Sequence, residues 1–260
     1  MKPIGIPVRA FSREEDELAY LQMPKDMNVY RSPILPEPEE MSEGARAVLF
    51  FILDSLQGKS NSPISLNALS EKERAQVGQV LGEGEVSIRM DGVSIQESVL
   101  AGVWQIREGE DVRIEVGPFP EVVARRRKSA AFRLPASHPE GVMNSPSVLA
   151  EIAAKSVEKN HELHVVNLSL LPMNRADIDH LDNVLGRGDI VILSRGYGNC
   201  RIESTAMSKV WRVRYFNSQD ALILDTIEVV DIPGVAMAAR EDLEDSCERL
   251  IEIIDWVGND

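Results

Sequence analysis

Apolar residues recur at helical spacing near the start of two stretches of this chain. Ala45, Val48, Leu49, Ile52 and Leu56 predict a helix of three turns behind Ser42. Val148, Leu149, Ile152, Ala153 and Val157 predict another, opened by Ser145 and by Pro146 at a position where a missing N–H does no harm. A second helix follows each. Ser70-Glu71-Lys72-Glu73 has the form of a capping box, and Asn174-Arg175-Ala176-Asp177 offers related chemistry. Val77, Val80 and Leu81 then answer to Leu181, Val184 and Leu185, and both helices stop at glycine, Gly82 and Gly186. Beyond them the period changes from helical to alternating. Val86 and Ile88, like Ile190 and Ile192, alternate with polar neighbours, and Asp91-Gly92 and Arg195-Gly196 signal turns, so a hairpin is predicted in each stretch.

These correspondences form an internal repeat. Val80-Leu81-Gly82-Glu83-Gly84-Glu85-Val86 returns as Val184-Leu185-Gly186-Arg187-Gly188-Asp189-Ile190, 104 positions on. The offset grows to 106 at Glu97-Ser98 and Glu203-Ser204, to 107 at Trp104 and Trp211, and to 113 at Pro120 and Pro233, as insertions at turns require. By this alignment Ser94 holds the place of Cys200. Each copy closes with a helix after its proline; in the second, Leu243, Cys247, Leu250, Ile254 and Val257 form one apolar stripe. The predicted fold is α+β: an extended, proline-rich leader over 1–43, then repeats over 44–140 and 141–260, each helix, helix, antiparallel strands, helix, the two packing as one pseudo-symmetric body. Gly82, Gly84, Gly186, Gly188, Trp104 and Trp211 occur in both copies and are assigned to building the unit.

Charge narrows the function. The 260 residues carry a net charge of −14, which excludes a nucleic-acid binder. The acids concentrate at the end, where Glu241, Asp242, Glu244, Asp245, Glu248, Glu252, Asp255 and Asp260 face only Arg249. Arg125-Arg126-Arg127-Lys128 is the one basic run and reads as a solvated face. The amino terminus lacks a signal peptide's apolar core, and the apolar run Ala47–Leu53 is too short to span a bilayer, so a cytoplasmic protein without an integral membrane segment is expected.

Candidate chemistry is thin. Cys200, in a Tyr197-Gly198-Asn199-Cys200 loop found only in the second copy, is either a reactive thiol or a small packed residue; Cys247 lies on the core stripe. His161 and His164 have a spacing compatible with a metal pair but no evident third ligand. Gly82-Glu83-Gly84 and Gly186-Arg187-Gly188 follow a helix and precede a strand, the reverse of a phosphate loop. Glu97-Ser98 and Glu203-Ser204 have no histidine at a fixed offset. No catalytic residue, metal or cofactor is assigned, and the chain is not expected to be an enzyme.

The block Gly188-Asp189-Ile190, Gly196-Tyr197-Gly198-Asn199-Cys200-Arg201-Ile202, Val210-Trp211-Arg212-Val213, Tyr215-Phe216-Asn217 and Ile223–Val229, with Leu81–Ile88 and Val103-Trp104, resembles the hydrogenase expression/formation family known as HupH, HyaF or HoxQ. The likeness spans most of residues 40–255. It implies an accessory chaperone in maturation of nickel–iron uptake hydrogenases, acting on the precursor of the iron–sulfur small subunit (its signal peptide, its folded part or both) before twin-arginine export, and working alongside other maturation proteins. Rival readings are an accessory factor for the large subunit and a thiol-dependent iron or cluster carrier. A twin-arginine leader is basic and then apolar, so its binder should offer acids beside an apolar surface. The second copy's own features, Tyr197, Asn199, Cys200, Phe216, Glu241, Asp242, Glu244 and Asp245, are the expected partner-binding residues.

Overall fold

The computed structural model describes residues 41–126, 133–158, 162–196 and 198–258; residues 1–40 of the leader, Arg127, Lys128, His161, Tyr197 and Asp260 fall outside them. In the first half α1 (Glu43–Leu56), β1 (Ile64–Ser65) and α2 (Glu71–Leu81) precede β2 (Val86–Met90), β3 (Val93–Glu97), β4 (Val103–Glu108), β5 (Asp111–Val116) and α3 (Glu121–Arg126). In the second, α4 (Ser145–Ser156), β6 (His164–Asn167) and α5 (Arg175–Leu185) precede β7 (Val191–Ser194), β8 (Asn199–Ser204), β9 (Val210–Phe216), β10 (Leu222–Val229) and α6 (Arg240–Gly258). The fold is a mixed α+β one. Both predicted capping boxes form: Ser70 accepts from the Glu73 N–H, Asn174 accepts from the Asp177 N–H, and each acid reaches back to its cap residue. Asp177 does more. The same carboxylate accepts from the N–H groups of Met143, Asn144 and Ser145 at 2.8, 2.7 and 3.0 Å, so it ties the start of α4 to the start of α5.

All ten strands join one antiparallel sheet in the order β1-β5-β4-β3-β2-β7-β8-β9-β10-β6. The halves meet at the β2–β7 seam, where Val86 pairs with Ser194 and Ile88 with Ile192. Read outward from that seam, the first half's strands run 2-3-4-5-1 and the second half's 7-8-9-10-6. Strand alternation sends Ile88, Ile95, Trp104, Ile106, Ile192, Ile202, Trp211 and Val213 to one face, a core that crosses the seam and is roofed by Val122 and Val123 of α3 and by Ala236. The opposite face carries two helical layers. α1, α2 and α6 bury Leu49, Ile52, Val80, Leu81, Leu250 and Ile254 over the first half, and α4 and α5 bury Leu149, Ile152, Leu181 and Leu185 over the second.

Three details depart from the sequence reading. The first is a pair of short strands, β1 and β6, that sit between the helices and edge the sheet; two to four residues are too few to show a period. The second is register. The β2–β3 turn has two residues, Asp91 and Gly92, whereas the β7–β8 loop spans 195–198 with Asn199 opening β8, so Val93 faces Met90 as Cys200 faces Ser194. Val93, not Ser94, therefore matches Cys200. Likewise Ser98 matches Thr205, not Ser204: the Ser98 and Thr205 N–H groups donate to Val103 and Val210 carbonyls, and each hydroxyl accepts the amide two residues on, Leu100 and Met207. The third is α6. After Pro233 the chain makes only the 3₁₀ turn Gly234–Ala236, and α6 then crosses back to pack on α1 in the first half, with Leu243 over Gly102 and Arg249 donating to the Val99 carbonyl at 3.3 Å.

Candidate functional site

The glycines assigned to building the unit lie at the ends of α2 and α5, and the tryptophans lie within β4 and β9. Gly82 and Gly186 end α2 and α5 at φ +54 and +62, a region L side chains avoid. Two residues on, Gly84 and Gly188 donate to the Glu97 and Ser204 carbonyls at 2.7 and 2.9 Å, and a Cβ on either would strike that strand's backbone. Trp104 and Trp211 are fully buried, and their indole N–H groups donate to the Gly117 and Asp231 carbonyls at 2.8 and 3.2 Å.

The residues expected to bind a partner gather at one end of the sheet, but not as one surface. Asn199 and Phe216 are Cα partners at that end and both half-buried. Cys200, the next residue, is 1% exposed within the seam-crossing core. Burial pushes its thiol up to about 12, against a smaller opposing effect of a hydrogen bond with Tyr215, which favours the protonated thiol at neutral pH. Cys247 is half-buried on α6. Among the described residues no group of three or more His, Cys, Asp or Glu could hold a metal ion, and His164 lies against Glu151 of α4 at 2.7 Å.

The first two turns of α6 arrive at the same end of the sheet. Glu241, Asp242, Glu244 and Asp245 are all exposed there; Glu244 pairs with Arg240 at 2.8 Å, and Asp242 accepts from the Ala239 N–H at 3.3 Å. Between these acids and the β7–β8 loop lie two residues the sequence reading passed over. Glu85 accepts the Arg195 N–H through its carbonyl at 3.1 Å, and its carboxylate occupies the space a Cβ on Gly196 would need. Glu97, 6% exposed, accepts from the Gly102 N–H at 3.0 Å. Burial pushes the Glu97 carboxyl up to about 7, with the negative charges of Glu85 and Asp242 adding to it and the Gly102 bond opposing. The signal for Glu97 was present: it continues the inward alternation of Val93 and Ile95, and a carboxyl on the apolar side of a strand marks either a partner or a function. This end sets an exposed acidic helical start beside a buried acid, and among the described residues no histidine stands near Cys200 or Ser204 in the sheet.

Residues 142–257 match the family described as HupH hydrogenase expression protein, C-terminal conserved region. The chain is 50% identical to the hydrogenase expression/formation protein HoxQ of Cupriavidus necator over 95% of both chains. It is 40% identical to the hydrogenase expression/formation protein HupH of Rhodobacter capsulatus over 99% of this chain and 98% of that one. The hydrogenase-1 operon protein HyaF of Escherichia coli is 31% identical over 75% of this chain and 73% of its own. A solved structure, the hydrogenase expression protein HupH from Thiobacillus denitrificans, aligns with 42% of this chain and 92% of its own at 27% identity and a TM-score of 0.40. With half of its positions shared along almost its whole length with one such relative, the chain belongs to the hydrogenase expression/formation protein family.

Proposed function

We propose that the protein is a non-catalytic accessory factor in hydrogenase maturation, a cytoplasmic chaperone that binds the precursor of the iron–sulfur small subunit of a nickel–iron uptake hydrogenase and holds it for assembly before twin-arginine export. The observation that carries this reading, beyond the relatives' names, is the exposed acidic start of α6, Glu241, Asp242, Glu244 and Asp245, in a family whose relatives are named for hydrogenase formation. A basic leader is the complement of such a surface. The packed thiol of Cys200 gives the carrier reading no support. No helix among the described residues is long and apolar enough to cross a membrane.

The seam-centred strand order and the paired capping boxes support reading residues 44–140 and 141–260 as copies of one unit, with α6 exchanged onto the first. On this view Asn199, Phe216 and the α6 acids are separate contacts for the partner at one end of the sheet, and Cys200 packs beneath the first of them.

The test is co-purification of the full chain with tagged small-subunit precursor or tagged large subunit, each produced without the other. Capture with the small subunit alone is the expected result, and lysine at all four α6 acids should weaken it at least tenfold, since rim charges govern encounter and complementarity. Capture that follows the large subunit would overturn the reading.

A further inference from the structure

Strands β5 and β10 lie one in from the two edges of the sheet, and each sets a glutamate opposite a tryptophan: Glu115 opposite Trp104, Glu228 opposite Trp211. The two carboxylates are equally hidden, 7% and 8% exposed. Burying a charge is costly unless donors satisfy it. Glu115 has them. It accepts from the Glu121 and Val122 N–H groups at the start of α3, at 2.8 and 3.3 Å, and Arg113 Nε lies 3.7 Å away. Glu228 has no hydrogen bond and no ion pair among the described residues, and burial alone pushes its carboxyl upward.

Beside Glu228, on the same face, stands its Cα partner Val165 on β6, 44% exposed, with Leu163 just before the strand 54% exposed. β6 is the last strand of the sheet among the described residues, and none of them forms a strand along its outer backbone. The opposite edge is protected differently. β1 is two residues long and follows Pro63. Short edges, proline and lysine are how sheets avoid pairing with strangers. β6, His164-Val165-Val166-Asn167, has four residues and neither lysine nor proline.

A free edge, an apolar ledge and a buried carboxylate without a donor therefore coincide. The geometry points to an extended segment of a partner protein that adds to the sheet along β6, lays apolar side chains on Leu163 and Val165, and sets one basic side chain against Glu228. Strand addition supplies affinity through the main chain, while side chains supply selectivity. A residue opposite Val165 on the added strand lies two strand spacings, roughly 10 Å, from the Glu228 Cα, a span that arginine and glutamate bridge together. Arginine suits the site because its planar fork offers several donors and it tolerates desolvation better than lysine does. The inference rests on the proposed function in one respect: the segment would belong to the small-subunit precursor, beyond the basic leader that meets the α6 acids.

Two probes separate the ideas, both on the purified full chain. One is a synthetic peptide of two adjacent arginines followed by alternating leucine and threonine; the other is the tagged small-subunit precursor. Val165→Lys should weaken peptide binding at least tenfold, because it places charge on the ledge and the edge. Glu228→Gln should weaken it about tenfold, yet leave binding of a glutamine-for-arginine peptide unchanged, and it should hold or raise the melting temperature, since it removes a largely buried charge that no described protein group pairs. Glu115→Gln, which loses a partnered carboxylate, should lower the melting temperature. The edge site is overturned if wild type does not bind the peptide, if both variants bind it as wild type does, or if Glu228→Gln destabilises as Glu115→Gln does. Peptide bound at the edge without capture of the precursor leaves the edge site standing and sinks the small-subunit reading. Precursor captured undiminished by Val165→Lys and Glu228→Gln does the reverse.

Discussion

Matched positions on the two sides of the β2–β7 seam are closed over in the first half and left open in the second. Gly102 and Lys209 stand in matching turns, each with its carbonyl accepting from just past the end of the next strand, Gly117 N–H after β5 and Val230 N–H after β10, both at 2.8 Å. Both lie in the left-handed region, at φ +77 and +60. One is glycine because Leu243 of α6 sits where its Cβ would be; the other carries a full side chain, which reaches Asp231 at 3.1 Å. Glu115 caps α3 while Glu228, in the same register, meets no donor among the described residues. The difference comes from helix placement, not from the sheet. α3 and α6 both cover the first half, and the start of α3 supplies the donors for Glu115. In the second half a similar framework leaves Glu228 without a donor among the described residues, as the proposed edge site requires.

The comparison is tested most severely at its anchors. Trp104→Ala and Trp211→Ala each remove a fully buried indole and its N–H bond to a carbonyl, and each should cost about 3–5 kcal/mol in urea unfolding. Equal costs support one framework used twice. A gap of more than about 2 kcal/mol between them would show that one half alone carries the stability.

Gly102→Ala comes next. The backbone conformation costs an L residue roughly 1–2 kcal/mol, and the new methyl collides with Leu243, so about 2–4 kcal/mol is expected in all. Combining it with Leu243→Ala should recover part of the loss, a coupling that reports α6 docking directly. If the two changes simply add, α6 does not bear on this turn.

A third contrast is electrostatic. Glu97 and Ser204 occupy matched places, opposite Trp104 and Trp211. The folded state holds the Glu97 carboxyl at about 7, above its unfolded value, so the native protein binds the extra proton between roughly pH 4.3 and 7. Stability from this group is thus full below the unfolded value and is lost as pH rises through 7, on the order of a few kcal/mol. Glu97→Gln keeps an oxygen for the Gly102 N–H and should raise the melting temperature at pH 8 while changing little at pH 4. Ser204→Ala should show no such pH dependence. A Glu97→Gln variant with the wild-type pH profile would place the titration elsewhere.

Much of this framework was legible in the residues. The caps at Ser70 and Asn174, the glycine stops at Gly82 and Gly186 and the alternation through Ile88 and Ile192 are local signals, and local chemistry produced what they predicted. What escaped depends on long-range placement. The apolar stripe Leu243-Leu250-Ile254 predicted a packed helix but could not say which half it would pack on. The register at Glu97 was missed because identical Glu-Ser pairs aligned better than the hydrogen bonds, which instead follow the longer β7–β8 loop. The α6 acids were readable as exposed from their opposition to that stripe. Glu228 was not readable as a site, because its alternation looks the same as that of Glu115, and only the absence of a helix above it separates them.

The smallest expected effect bears most directly on why the halves differ. Lys209→Gly removes a side chain from a left-handed residue, a backbone gain of roughly 1–2 kcal/mol. Against it stand the greater freedom of glycine in the unfolded chain, about 0.4–1 kcal/mol, and the loss of a partly exposed ion pair with Asp231, about 0–1 kcal/mol. The terms nearly cancel, so chemical denaturation should place the variant within about 1 kcal/mol of wild type. That near-neutrality, set against the cost of Gly102→Ala, would mean that the turn itself accepts either residue and that α6 alone dictates glycine in the first half. A loss above about 2 kcal/mol for Lys209→Gly would instead make the lysine a structural element of the second half, and the openness of that half could no longer be argued from this turn.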